Sequence, residues 1–294
     1  MTFSHSKRLL KGAWSRRWFR RITYALAAGA LLAGAVDWTV QQPFFDRWMI
    51  GKLAAMVQDQ TGLAFQAGAI EVHPFEERII LRDFSVGDDL LKAERLEVRV
   101  DLWSMLGRTR RIRDIELENP VSVLDAQRLA RIHLKPRPEN QVPPQMLLDH
   151  LIVLGGRLRI QEPAWNLPNA QFTYRVYGQG LGPNRLHADL RVPRIQMGTG
   201  PAAVAGSLMA KATLSDLALE VQESEIRLGH NRLALNGHYA FDAQMLSADL
   251  KGKVDLVEAL KLVDPKAPRT WEGMAEFQAG FRGRLRDPSW NLSI

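Results

Sequence analysis

The sequence predicts a mostly β protein carried behind an N-terminal membrane helix. Three observations predict it: a basic tail running into an apolar stretch, a hydrophobic period that changes from about 3.6 to 2 beyond residue 62, and turn signals separating the alternating segments that follow. The charge distribution supports this division. The first 21 residues hold seven basic side chains and no acid, whereas the remainder balances 32 basic against 32 acidic residues. The formal charge of +7 is therefore a property of the tail, and no nucleic-acid partner is indicated, because that needs a basic face on the folded domain.

Residues 1–21 read as a cytoplasmic tail, with Lys7, Arg8, Lys11, Arg16, Arg17, Arg20 and Arg21 keeping it on the inner side. Residues 22–40 read as a transmembrane helix: Ile22 to Val40 is apolar apart from Asp37 near its far end, and about twenty residues cross roughly 30 Å of hydrocarbon. Trp14 and Trp18 flank one end, Trp38 and Trp48 the other, as indoles do at membrane interfaces. The rival is a cleaved signal peptide with Ala33-Gly34-Ala35 as its site, which exports the rest equally. This orientation suits a single-pass protein of a bacterial inner membrane, its N-terminus cytoplasmic and its main body periplasmic. The chain has no cysteine, so disulfides and thiolate-held metals are excluded.

Residues 41–62 are expected to form a juxtamembrane amphipathic helix. Pro43 opens it, Phe45, Trp48, Met49, Leu53, Met56 and Val57 recur at three- and four-residue spacings, and Gly62 ends it. Strands follow. Leu96, Val98, Val100 and Leu102 alternate with Arg95, Glu97, Arg99 and Asp101; Leu186, Ala188, Leu190 and Val192 alternate with Arg185, His187, Asp189 and Arg191. From Leu246 to Leu256, through Leu250, the even positions are apolar or glycine; from Ala275 to Leu285, through Phe277 and Phe281, the odd ones are. Gly87-Asp88, Gly155-Gly156, Gly178 to Pro183 and Asn236-Gly237 read as turns, giving a long antiparallel meander. Residues 63–135 are its first part, residues 136–148 a linker marked by Pro136, Pro138, Pro143 and Pro144, and residues 149–294 its continuation. Short helical turns are expected over Asp101 to Leu106, Leu124 to Ile132 and Val257 to Leu262. These helices are too few to cover an apolar face bearing Leu96, Val98, Val100, Leu186, Leu190, Leu246, Leu250, Phe277 and Phe281. Either the sheet closes on itself as a sandwich, or it stays curved and open with something apolar lying in it.

Nothing points to catalysis, a metal or a cofactor. The seven histidines are scattered, and His230 and His238 read as a surface pair. Gly178-x-Gly180-x-Gly182 is followed by Pro183-Asn184 where a nucleotide loop needs a glycine opening a helix, so it reads as a turn. Arg108, Arg110, Arg111 and Arg113 follow Gly107 and read either as a solvated turn or as a contact for anionic head groups.

The stretch from Thr61 to Leu124 resembles the N-terminal region of AsmA-like envelope proteins, the family that includes TamB-like members. Thr61-Gly62 closes the juxtamembrane helix, followed by Ile70-Glu71-Val72-His73-Pro74-Phe75 and Leu81-Arg82-Asp83-Phe84-Ser85-Val86. Leu96 to Leu106 and Ile112 to Pro120 complete the run, and Leu151 to Ile160 and Gly280 to Pro288 are similar to later strand units. The resemblance implies a curved, groove-shaped sheet (a β-taco) anchored in the inner membrane, with phospholipid, the membrane and other envelope proteins as partners and a role in moving phospholipid toward the outer membrane. It supplies no catalytic residue. The chain stops at Trp290 to Ile294 in mid-alternation, which reads as a fragment of a longer protein or a short form working in series. Two functions follow as expectations: a lipid-binding or lipid-transfer protein, or an assembly factor for outer-membrane biogenesis whose sheet pairs with partner strands.

Overall fold

The computed structural model describes residues 42–87, 90–104, 107, 109–124, 145–160, 170–197, 204–240, 243, 245–258, 273–284 and 287–293. The expected tail and membrane helix lie outside these residues, as do the prolines of the expected linker. Among the described residues no helix is long and apolar enough to cross a membrane.

Helix α1 spans Pro43–Thr61. Proline suits its first turn, where the missing N–H costs nothing, and Gly62 ends it in the left-handed region at φ 72°, donating its N–H to Gln58 O over 2.9 Å. Met49, Ile50 and Leu53 pack on the sheet, while Phe44, Trp48 and Met56 are exposed. The expectation of one apolar stripe is thus corrected: Trp48 is turned about 100° from Met49, and Met56, though on the same side as Met49, is exposed in the last turns.

Fifteen strands follow: β1 Phe65–Gln66, β2 Ala69–His73, β3 Arg78–Val86, β4 Leu91–Val100, β5 Thr109–Glu118, β6 Val121–Leu124, β7 Gln145–Ile160, β8 Ala170–Gly182, β9 Arg185–Met197, β10 Val204–Ser215, β11 Ala218–Leu228, β12 Asn231–Ala240, β13 Met245–Asp255, β14 Met274–Arg284 and β15 Asp287–Ser293. They form one curved sheet in the order β1-β3-β4-β5-β7 and then consecutively to β15, with β2 beside β3 and β6 beside β4 and β7. At about 4.8 Å per strand this path extends roughly 60 Å. The expected wholly antiparallel pairing is corrected at one seam. β5 and β6 both pair with β7 in parallel, because β6 ends at one end of the sheet and β7 starts at the other. The expected linker is also shorter, since Gln145 to Leu148 already pair with Thr109 to Ile112.

Three expected turns lie elsewhere. Gly155-Gly156 sits inside β7 as a bulge: Gly155 takes φ 64°, and Gly156 faces Tyr174, whose ring lies where a Cβ would be. Asn236-Gly237 lies in mid-strand, facing Asp249 and Ala248, and the real turn into β12 is Gly229-His230. Gly178 to Gly182 belongs to β8, with the turn at Pro183-Asn184. In each case the ladder on both flanks continues and overrides the local turn preference. Leu102 likewise falls outside β4, exposed in the turn that follows, where the Ser104 N–H donates to Asp101.

The dry core lies under α1. Ile70, Leu81, Phe84 and Ala93 are buried there, and Phe65 and Phe84 stack at 6.3 Å. Leu81 and Phe84 both point inward because Asp83, at φ 49°, interrupts the alternation between them.

Candidate functional site

Register decides which side chains share a face, since directly opposed residues on neighbouring strands point the same way. Leu96 opposes Leu117, which opposes Val153, then Val176, then Leu190. Two residues along β9, Val192 opposes Leu208, which leads through Ile226, Leu233 and Gly252 to Phe277. A parallel row runs from Leu151 through Gly178, Ala188, Ala212, Val221, Gly237 and Ala248 to Phe281. By period two along each strand, Leu96, Val98, Val100, Leu186, Leu190, Leu246, Leu250, Phe277 and Phe281 therefore lie on one continuous face.

Among the described residues no covering layer lies behind it: the strands pack chiefly on their sheet neighbours, and α1 lies over the first edge, from β1 to β4. Yet Val192, Ile195, Ala210 and Ala279 are buried, while Ala234, Asn236, His238, Asp249, Lys251 and Lys253 on the reverse face are exposed. Without a second layer, such a difference arises when the sheet curls toward its apolar face, so that rows of side chains shield one another. A closed sandwich is not what these strands form.

The rows differ in size. The row from Gly178 to Ala248 holds only glycine and alanine from β8 to β13, apart from Val221 on β11. On one side stand Leu186, Leu214, Leu219, Tyr239 and Leu246; on the other, Leu190, Leu235 and Leu250. The result is a trough running across the strands, closed by Leu151 at one end and Phe281 at the other. At Gly237 an added Cβ would meet nothing closer than 3.5 Å, an ordinary contact, whereas Leu186 leans over Gly178. Five strand spacings make it about 25 Å long. Its walls, four residues apart along each strand, stand about 13 Å apart at the backbone. This shape suits an unbranched hydrocarbon chain laid lengthwise.

Bulges keep the face continuous. In β11 the extra residue Glu223 (φ 49°) is accommodated because the buried Ser224 hydroxyl accepts from the Leu235 N–H over 2.7 Å and donates to the Leu235 carbonyl. Tyr174, on the apolar face above Gly156, has its phenol pushed up by burial, opposed by a hydrogen bond with Ser122. Tyr174, Val153, Val176, Ala212, Val221 and Gly237 were not among the residues expected to line the site. Bulges break the alternation of their strands, and a row of small residues exists only once register is known. A glycine pair inside an otherwise apolar run was the available signal.

The reverse face carries charge. Arg82 bonds Glu71 over 2.6 Å and Arg95 bonds Glu118 over 2.8 Å; the first pair holds the Glu71 carboxyl below its ordinary range. The buried Glu97 is ringed by Arg78, Arg95 and Arg99. Of the arginines expected to meet head groups, Arg108 lies outside the described residues. Arg111 is paired with Asp149 and Arg113 with Glu77, each over 2.9 Å, while Arg110 is exposed. Two of the four are thus neutralised in place. His230 and His238 stand near opposite ends of β12, and among the described residues no three acidic or histidine side chains converge on a metal position.

The chain matches no family model, no curated protein and no solved structure.

Proposed function

We propose that this chain is an AsmA-like protein anchored in a bacterial inner membrane, whose periplasmic sheet binds phospholipid acyl chains and passes them toward the outer membrane. The small-residue trough carries this reading. It offers an apolar floor walled by leucines, and it leaves apolar surface facing water unless a ligand covers it. Each acyl methylene removed from water contributes about 0.8 kcal/mol, so a chain lying along the trough is held without any polar contact. The head group stays at the rim, in water.

The test fills the trough without adding charge. Ala212→Phe and Gly237→Phe should keep the fold, because no second layer among the described residues stands over this row, and should abolish photocrosslinking to a diazirine-bearing phospholipid and the recovery of lipid in organic extracts. Folded variants labelled as strongly as the parent protein would overturn the proposal.

A second reading, an assembly factor that pairs with partner strands, is favoured by one observation. Among the described residues β15 pairs only with β14, so its outer backbone groups are a template for a further strand. Under that reading the trough variants leave partner capture intact, and proline substitutions in β15 abolish it.

A further inference from the structure

Seven arginines of the reverse face have a carboxylate within reach: Arg78, Arg82, Arg95, Arg99, Arg111, Arg113 and Arg227. On β7, β8 and β9 a cluster of arginines stands without such a partner. Arg157, Arg159, Arg175, Arg191 and Arg194 are all exposed on that face, and none has a carboxylate partner among the described residues. Their register makes this costly. Arg175 stands directly opposite Arg191, an arrangement that destabilises a sheet unless an anion lies between the charges. One row further, Arg157 opposes Thr173, and Thr173 opposes Arg194, so two guanidiniums flank a hydroxyl across three strands. In the next row Arg159 opposes Gln171, which opposes Gln196. These six side chains line one cavity of about 310 Å³.

We propose that this cavity is a binding site for a phosphoryl group. Three guanidiniums supply paired N–H donors of the geometry that phosphate oxygens accept, the Thr173 hydroxyl and two carboxamides add neutral donors, and no acid in these rows repels the ligand. The backbones of Arg157 and Arg194 stand about 10 Å apart, two strand spacings, which lets both side chains converge on one anion between them. Arg175 and Arg191 extend the positive field along the sheet. The site lies on the face opposite the trough and does not depend on it. The phosphoryl group can belong to an anionic lipid head group or to a soluble phosphorylated molecule.

The experiment uses the full chain in nonionic detergent, titrated at fixed ionic strength with pyrophosphate, sulfate, and short-chain phosphatidylglycerol and phosphatidylcholine. Saturable binding of pyrophosphate or phosphatidylglycerol, tighter than sulfate, is expected. Arg157→Gln and Arg194→Gln should each weaken it about tenfold, and Arg82→Gln, whose arginine is already paired, should leave it unchanged. Saturation by phosphatidylglycerol alone assigns the group to a lipid head; saturation by pyrophosphate assigns it to a soluble phosphate. Without ligand, Arg175→Gln should melt higher than the parent protein, because the opposed charges are gone; with pyrophosphate the gap should close. Binding that ignores Arg157→Gln and Arg194→Gln in folded protein, or that treats sulfate and pyrophosphate alike, would overturn the proposal.

Discussion

At its first edge the sheet is covered. Met49, Ile50 and Leu53 of α1 lie against Ile70, Leu81, Phe84 and Ala93, and Ile70 is 1% exposed. From β8 to β14 the same alternation of apolar and polar residues faces no second layer among the described residues, and most of its apolar side chains are only half-buried. Alternation therefore specifies which side of a strand is dry, but not what dries it. The covered edge behaves as a conventional core, where stability resides; the open stretch holds apolar surface in reserve for a ligand.

The largest expected effect tests the covered edge. Ile70→Ala should cost about 2–5 kcal/mol by leaving a cavity that α1 cannot fill, and Ile70→Asp should detach the helix outright. Circular dichroism melting with limited proteolysis after residue 62 reads both. Next, Gly156→Ala should cost about 1–3 kcal/mol, because its Cβ would sit 2.5 Å from the Tyr174 ring, and the cost should shrink in a Tyr174→Leu background. A full-size penalty in that background would break the assignment of Tyr174 as the obstacle.

The open stretch should respond differently. Leu190→Asp and Phe281→Asp put a charge where water can reach it, so each should cost no more than about 1 kcal/mol while removing bound lipid. Collapse of both variants would erase the distinction between the two regions. The smallest effect concerns the turn into β12. Glu258 accepts from the His230 backbone N–H over 2.8 Å and contacts the His230 ring over 2.6 Å. The carboxylate holds the imidazole above its ordinary 6.5, and the His230 backbone N–H, then its ring, holds the Glu258 carboxyl below its ordinary 4.5. A raised histidine stabilises below its unfolded value and loses this as pH rises through the folded one. A lowered carboxyl stabilises above its unfolded value and loses this as pH falls through the folded one. The pair thus contributes most between about pH 4.5 and 6.5. His230→Gln should lower the melting temperature in that window and approach the parent at pH 8.

Much of this was legible in the sequence where the physics is local. The period-two runs at Leu246 to Leu256 and Ala275 to Leu285 became strands within one residue at each end, the run at Leu186 to Val192 became a strand that continues to Met197, and Pro43 and Gly62 bracketed α1. What was not legible depends on partners distant in the chain. The parallel seam joins Glu118 to Leu154 across residues that carry no pattern of their own pairing. Asn236-Gly237 has the composition of a hairpin turn, and only the ladders of β11 and β13 hold it straight. The arginines of β7 to β9 that have no carboxylate partner among the described residues look no different in sequence from the paired ones of β3 to β5; only the strand pairing tells which have an acid within reach.

One feature of the topology bears on how the molecule comes apart. Because the contacts of each strand among the described residues fall overwhelmingly on its sheet neighbours, the stretch from β7 to β15 is nearly one-dimensional, and its cooperativity is carried by a chain of nearest-neighbour interfaces. Unfolding should begin at β15, whose loss exposes one interface, and travel inward strand by strand toward the seam. Amide exchange should therefore slow along the sheet from β15 to β3, as a gradient rather than a single step. The helix-covered edge is then the last part to open, and it acts as the nucleus from which the sheet zips closed again.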